Sequence, residues 1–582
     1  MLRRRRDPGG PQAAPLLITG LLDRAARWAG TGTGSKGCVS LLADGSTLVR
    51  PWPDVRARAH AASLALVADL GIKAGDNVAT LALNSSSHLE LWYALAGASA
   101  VAHTLNPRMA VPDLAWVAAH AGDVVVFFDA DFAPLARALR PRLPRVRHWV
   151  VLVPDSEGKS PADADPGSWG CYERLVASGA ARAPPHGAPH APLPPWPRPP
   201  SDETAACGLC YTSGTTGRPK GVVYTHRSNV LHSVAAAHGD ALDLRATTVA
   251  LAIVPLFHAN AWGLAHAVPM VGGTLILPGR HVSGAALAAA VAAHGVTMAA
   301  GVPTVFGDLV AHQKGRPLPP LAVAVIGGAA CPPALADALA AIGVEPRIAW
   351  GMTETSPIGS FNAPVVASVG LSGAAARERR VAQGRPAPFV DARIVSDDPD
   401  RTPLPHDGVA RGELEVSGPF VVRRYYRAAT DAAAGALNSP LFFPTGDIAT
   451  IDATGTVRIV DRAKDVIKSG GEWVSSQAVE AAAADARGVA EAACVGVPHP
   501  RWTERPLLLV VAADPANPPT EAGVQAHLRS ALAAWWVPDK VLVVPSIPRQ
   551  ATGKVDKKGI RAAHAAVYGV GQEGVAAPAS RL

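Results

Sequence analysis

Apolar positions recur with helical period from Pro15 to Ala29, where Leu16, Leu17, Leu21, Leu22 and Ala25 share one stripe and Gly30 offers a stop. A hairpin is expected over Leu41 to Pro51 around Asp44-Gly45, then an Ala-rich amphipathic helix over Val55 to Leu70. Asn77 to Leu83, Val101 to Leu105, Val124 to Phe128 and Trp149 to Val153 read as buried strands, with a helix over His88 to Gly97. Strands alternating with helices predict βαβ units and a mostly parallel sheet. The pattern breaks over 155–204. Ala181 to Pro200 holds nine prolines and almost no aliphatic side chains, so it reads as an extended surface insertion in which His186 and His190 are solvated.

The alternation resumes with Ala205 to Cys210, Val249 to Val254, Gly273 to Leu277, Val296 to Thr304 and Leu321 to Ile326 as strands. Beyond Gly384-Arg385-Pro386 the texture shifts to shorter strands and turns, with Gly412 to Val416 and a hairpin closed by Asp452-Ala453-Thr454-Gly455. The charged pentad Asp461-Arg462-Ala463-Lys464-Asp465 reads as a domain boundary. After it come an Ala-rich helix from about Ser476 and strands at Ala492 to Val497 and Leu507 to Val511. The expected organisation is a basic tail (1–14), a large body (15–463, with 155–204 as its insertion), a small α+β domain (464–568) and a loose tail (569–582).

Composition narrows the class. A chain of 582 residues with 48% hydrophobic content has more than one core. The net charge of +7 comes from scattered Lys and Arg, which suits anionic small molecules. No basic face interleaved with aromatics points to nucleic acid. The six cysteines make no disulfide framework and imply a reducing compartment. Cys207 and Cys210, on one strand, face opposite sides and read as packing. No apolar run is long enough to span a membrane. Arg3 to Arg6 lack the apolar core of a secretory signal. The terminal Ser580-Arg581-Leu582 is a close variant of the Ser-Lys-Leu peroxisomal address, so import by its receptor and a peroxisomal location are expected, with the cytoplasm as the other location.

Candidate chemistry begins at Tyr211 to Gly221, which holds three glycines, four Ser/Thr hydroxyls and two cations. Glycines bring bare N–H groups close to a ligand, and hydroxyls and cations bind phosphate oxygens, so this is a polyphosphate loop. Its residue order does not fit G-x-x-x-x-G-K-[ST]. In Phe257-His258-Ala259-Asn260-Ala261-Trp262-Gly263, bulky aromatics beside small residues suit an apolar pocket wall or core packing. Gly327-Gly328-Ala329 stands at a strand's carboxyl end, where open parallel sheets bind ligands. Trp350 could stack on a base, Thr353 bond a phosphate and Glu354 hold Mg²⁺, while Asp447 could take both ribose hydroxyls.

Taken together, these stretches resemble the adenylate-forming superfamily of acyl-CoA synthetases, firefly luciferase and peptide-synthetase adenylation domains, from about Pro15 to Ala563. Phe257-His258-Ala259-Asn260-Ala261-Trp262, Lys464 to Trp473, the Leu16 to Trp28 helix and His103-Thr104-Leu105-Asn106-Pro107-Arg108 look like the medium- and long-chain fatty acyl-CoA synthetases in particular. The resemblance implies an α/β fold: a large αβαβα-type body with parallel sheets and a β-rich subdomain, plus a small mobile α+β C-terminal domain. It implies a fatty acid–CoA ligase that consumes ATP and CoA with Mg²⁺, forms an acyl-adenylate, and works as a homodimer.

By position, Thr212, Ser213, Gly214, Thr215, Thr216, Gly217 and Lys220 would clasp the β- and γ-phosphates, and Thr215 with Glu354 would hold the metal. Gly328, Ala329, Trp350, Gly351, Met352, Thr353, Asp447 and Arg462 would surround AMP. Thr353, Glu354, His258 and Lys554 would be catalytic, and Lys464 the hinge. Trp262 would gate an acyl tunnel walled by Gly263, Gly301, Val302, Pro303 and Gly327. Lys468, Ser469, Gly470, Gly471, Glu472 and Trp473 would meet CoA. The chain departs from the family in its long Pro-rich insertion and in Ala259, where relatives often carry a larger residue. Rival functions are a ligase for short or aromatic acids, transfer to a carrier-protein thiol, oxidation of the adenylate, and an inactive nucleotide sensor.

Overall fold

A computed structural model describes residues 14–29, 34–152, 170–184, 192–212, 218–364, 370–428, 441–470, 472–549 and 555–569. Ser213 to Gly217, Gly471, Lys554 and the terminal Ser580 to Leu582 lie outside the described residues, as do Arg3 to Arg6, His186 and His190.

Two large sheets form the body. The seven-stranded sheet runs Gly170–Cys171, His148–Leu152, Val125–Asp129, Asn77–Leu81, Val101–Thr104, Ala206–Thr212, Lys220–Thr225. It is parallel except for the last pair, a hairpin in which Thr212 opposes Lys220. The nine-stranded sheet has six parallel strands at its heart: Glu345–Gly351, Val323–Ile326, Met298–Gly301, Val249–Ala252, Thr274–Leu277 and Cys38–Leu41. Thr47–Arg50 turns back antiparallel to Cys38–Leu41, which makes the hairpin expected around Asp44-Gly45. Strands such as Phe127 and Phe128 or Leu275 to Leu277 are buried on both faces, as helix-covered parallel sheets require. The main core cluster joins the two sheets through helices Trp52–Ala68 and Ser86–Gly97. A four-stranded antiparallel sheet (Asp391–Val395, Gly412–Ser417, Phe443–Ile451, Val457–Arg462) follows. A five-stranded sheet with its own apolar clusters forms the C-terminal unit.

Two expectations are corrected. The stretch 155–204 is not simply a surface insertion. Within it, Gly170–Cys171 adds a strand to the sheet, and Tyr172–Ala180 is a helix whose Tyr172 is fully buried. Trp196 is only 6% exposed, and its ring lies on Gly97, where an added Cβ would fall 2.1 Å from Trp196 Cε3. The Arg56 guanidinium stands 4.0 Å from that indole, and Arg56 Nη2 donates to the Pro194 carbonyl at 2.6 Å. One aromatic side chain in a glycine slot thus ties a proline-rich strap to the core, which composition alone does not reveal. Second, the strand expected over Val296 to Thr304 ends at Gly301, and Pro303 opens a helix instead (Pro303–Gln313). The stretch after Phe257, expected as a pocket wall or core packing, takes a left-handed turn.

Candidate functional site

The carboxyl ends of the nine-stranded sheet's parallel strands carry the nucleotide-side candidates. Trp350, near the end of its strand, lays its indole on Gly359, where an added Cβ would come within 2.3 Å of Cζ3. Trp350 Nε1 donates to Asp447 Oδ2 at 2.8 Å. Asp447, 2% exposed, faces Arg462 across its hairpin, and Arg462 Nε meets Asp447 Oδ1 at 2.7 Å. An aromatic, a carboxylate and a guanidinium separated by up to 112 residues in sequence thus form one line. Such a line suits an adenine face and a ribose edge.

Thr353–Thr355 is a single helical turn, with Thr353 and Glu354 buried. The Thr353 carbonyl accepts from Tyr224 Oη at 2.9 Å, and Glu354 Oε1 accepts from Tyr425 Oη at 2.7 Å. Lys220 Nζ stands 4.7 Å from the Tyr425 ring centroid. Burial pushes the Glu354 carboxyl above its ordinary pKa, while the Tyr425 hydrogen bond and the Arg462 and Lys220 charges pull it back. Tyr425 therefore connects the phosphate-loop lysine to the metal-ligand candidate, and sequence reasoning missed it. Its only signal is an aromatic pair, Tyr425-Tyr426, in a polar loop.

Ala259, Asn260, Ala261 and Trp262 all have positive φ, from 46° to 57°, and Gly263 follows at 81°. Ala259, Ala261 and Trp262 are each disfavoured there by about 1–2 kcal/mol, and Asn260 by less. Surrounding packing holds the turn. Asn260 Nδ2 donates to Asn229 Oδ1 at 3.3 Å. The His232 ring lies on Gly263, where an added Cβ would sit 2.5 Å from Cε1. Burial pushes His232 down to about 3, so it stays neutral, and its Nε2 accepts from the Ile358 N–H at 3.1 Å. His232 thus couples the turn to the segment behind Trp350, a second role the sequence did not disclose.

The turn lays Trp262 over the glycines. An added Cβ on Gly327 would lie 3.1 Å from Trp262 Cη2 and 2.7 Å from the Ala349 carbonyl. Gly328, at φ +77°, has Val302 Cγ1 and Trp262 Cζ2 near its missing Cβ. Gly327 is buried, whereas Gly328 and Ala329 are exposed. Trp262, Gly263, Val302, Gly327 and Gly328 are therefore brought together. Gly301 packs on Phe306 and Ile253, and Pro303 is buried. His258 is exposed, just ahead of the turn.

The expected CoA residues gather elsewhere. Lys468 Nζ is 3.6 Å from Asp397 Oδ2 and 5.6 Å from the Trp473 ring. Both line a crevice of about 60 Å³ with Val395, Glu413, Ile448, Ala463 and Val466. Ser469 Oγ accepts from Arg505 Nη1 at 3.3 Å, and Gly470, at φ +61°, is flanked by Trp502 and Trp535. None of these contacts is to Trp262 or Gly327. Lys464 is exposed at the boundary, which is bridged on both sides. Asp461 Oδ2 accepts from the Ser476 N–H at 2.5 Å, and Arg561 Nη2 pairs with Asp465 at 2.6 Å. Lys557 Nζ reaches Ser476 Oγ at 2.6 Å and Glu480 at 2.8 Å.

Among the described residues no group of three or more His, Cys, Asp or Glu side chains could hold a metal. A single buried carboxylate fits Mg²⁺, which is bound through one or two carboxylates with phosphate oxygens and water. Cys207 and Cys210 are buried in their strand, bonded to Asn229 and Thr104 respectively. Among the described residues no helix is long and apolar enough to cross a membrane.

The sequence matches the AMP-binding enzyme family over residues 51–426 and the AMP-binding enzyme C-terminal domain over 478–554. It is 41% identical to a 3-methylmercaptopropionyl-CoA ligase of Ruegeria lacuscaerulensis over 95% of this chain and 98% of that one. It is 39% identical to a medium-chain-fatty-acid–CoA ligase of Ectopseudomonas oleovorans (94% and 95%) and 39% identical to a long-chain-fatty-acid–CoA ligase of Thermus thermophilus (92% and 94%). ATP-bound MatB from Rhodopseudomonas palustris shares the fold, with TM-score 0.76 at 24% identity over 95% of this chain and all of that one.

Proposed function

The chain belongs to the AMP-binding enzyme family, and on that premise we propose that the acid it activates is a fatty acid of medium or long chain. It is an AMP-forming acid–CoA ligase: acid, ATP and CoA become acyl-CoA, AMP and diphosphate by way of an acyl-adenylate. In the first half-reaction the carboxylate oxygen bonds to the α-phosphorus and the diphosphate oxygen leaves with its electron pair. In the second, the CoA sulfur bonds to the acyl carbon, its proton is lost, and AMP leaves.

The observation that carries the site assignment is Trp262 lying on Gly327 and Gly328, next to the strand that presents Trp350. That contact supports placing the carboxylate of the acid at the glycines, between an apolar wall and the nucleotide. Trp350 would face the adenine, and Asp447 with Arg462 would hold the ribose. Thr353 would bond the α-phosphate, and His258 would stand at the pocket mouth. Thr212, the 213–217 stretch and Lys220 would take the β- and γ-phosphates. Glu354 would hold Mg²⁺ with Thr215, and the ion would neutralise charge on the phosphates. Lys554 would stabilise the pentavalent transition state.

The division at Lys464 into a body (15–463) and a small domain (464–568) supports two arrangements. Lys557, three residues after Lys554, is held beside Asp461, next to Arg462. The CoA candidates Lys468 and Trp473 face Asp397 and Glu413 instead. That combination supports the present arrangement as the adenylating one. Rotation about Lys464 would bring the Ser469–Gly470 face to the acyl-adenylate. A homodimer is proposed from the family resemblance alone. Peroxisomal import rests on Ser580-Arg581-Leu582 alone, and the bacterial relatives named above give it no support.

A second reading, a short acid bearing a thioether, is favoured by the 41% identity to the Ruegeria ligase. AMP release measured across 3-methylthiopropionate, octanoate and palmitate, with and without CoA, separates the two. The fatty-acid reading expects the highest kcat/KM with octanoate or palmitate and CoA consumed mole for mole with AMP. A maximum at 3-methylthiopropionate would contradict it.

A further inference from the structure

The hairpin that flanks 213–217 leans on one helix, Val111–Ala121, which carries none of the site residues assigned above. On it, Trp116 and His120, one turn apart, stack ring on ring with centroids 4.8 Å apart and planes 17° apart. Tyr211, the residue before Thr212, brings its hydroxyl 2.6 Å from His120 Nδ1. Its ring stands edge-on to both Trp116 and His120. On the other side of the stretch, Arg218 places its guanidinium 5.1 Å from the centroid of the Trp116 ring. The two flanks of the phosphate stretch thus meet the same two-ring plate.

Further contacts fix the plate and the hairpin to one another. Tyr426 packs edge-on against His120 at 6.0 Å, and its N–H donates to the Gly221 carbonyl at 2.7 Å. Arg427 Nη1 donates to the His120 carbonyl at 2.8 Å. On its other side Tyr211 meets the His103 ring at 5.2 Å, and His103 Nδ1 is bonded to Asp123, both side chains fully buried. Burial, with the Arg427 and His103 charges, holds His120 below the ordinary histidine range, so a neutral ring shares the hydrogen bond with the Tyr211 hydroxyl. Apolar packing of a surface helix would need neither this hydrogen bond nor the cation over the indole.

A cation and a hydroxyl that are held in place before the triphosphate arrives lose less freedom on binding, and the plate holds Arg218 and Tyr211 in this way. We propose that Trp116 and His120 are positioning residues for the β- and γ-phosphates of ATP, acting through Arg218 and Tyr211. This rests on the nucleotide reading given above and adds to it a part of the molecule outside the motif itself.

The test is calorimetric titration of the full chain with Mg-ATP and, separately, with AMP, which lacks the β- and γ-phosphates. Trp116→Ala and Tyr211→Phe are each expected to weaken ATP about three- to tenfold, the size of one cation–aromatic contact or one hydrogen bond. AMP affinity should not change, and Trp116→Phe should restore most of the loss. His120→Ala combined with Tyr211→Phe should cost no more than His120→Ala alone, because the bond that Tyr211→Phe removes is already lost with the imidazole. Equal weakening of ATP and AMP, or additive effects of the His120 and Tyr211 changes, would overturn the proposal while leaving the nucleotide reading intact. Failure of the unaltered chain to bind ATP would overturn both.

Discussion

Lys554→Ala should slow formation of the acyl-adenylate by about two to three orders of magnitude, the scale of losing one preorganised group that stabilises transition-state charge. The same variant should convert preformed acyl-AMP and CoA to acyl-CoA at close to the unaltered rate. The split follows from charge. The pentavalent phosphorus gathers negative charge as the carboxylate enters and diphosphate leaves, whereas thiol attack on the adenylate builds its charge on the acyl carbonyl oxygen and the departing AMP. Lys554 lies outside the described residues, so its role rests on the motif Ile547 to Lys554 and on its neighbour Lys557, anchored at Ser476 and Glu480 beside Asp461. Diphosphate exchange into ATP and single-turnover thioester formation measure the two halves. Exchange that survives the substitution, or equal losses in both halves, would remove Lys554 from the adenylation step.

Asp447→Ala should weaken ATP and AMP alike, by about a hundredfold. Two hydrogen bonds from ribose hydroxyls to a carboxylate are worth about 1.5 kcal/mol or more each, and every 1.4 kcal/mol is tenfold. The substitution also leaves Trp350 Nε1 without its acceptor and removes the carboxylate from Arg462. The indole would then lose the hydrogen bond that fixes its Nε1 edge and keep its packing on Gly359. Equal loss for the two nucleotides distinguishes this site from the Trp116 plate, where only ATP should respond. Unchanged AMP affinity in Asp447→Ala would mean that the ribose lies elsewhere.

Local patterning carried much of the fold. The alternation from Asn77 to Phe128 placed parallel strands correctly because each is buried on both faces by the helices beside it. The candidate residues Gly327, Trp350 and Thr353 fall together for the same reason: the sheet brings successive carboxyl ends to one edge. What escaped depends on long-range geometry. Tyr425 meets Glu354 across 71 residues and His232 meets Ile358 across 126, and no local signal marks either pair. The left-handed Ala259 to Trp262 turn runs against the preference of Ala259, Ala261 and Trp262, so no propensity argument finds it. Trp196 was hidden by the prolines around it, since a single ring in a glycine slot leaves no periodicity.

Activation of the acid on the α-phosphate sends one of its carboxylate oxygens out with AMP. Octanoate labelled with heavy oxygen in both carboxyl positions, turned over with ATP, magnesium and CoA, tests it directly by mass spectrometry of the products. One heavy oxygen is expected in each AMP, none in diphosphate, and one retained in the acyl-CoA carbonyl. Label appearing in phosphate or diphosphate, with AMP unlabelled, would contradict it.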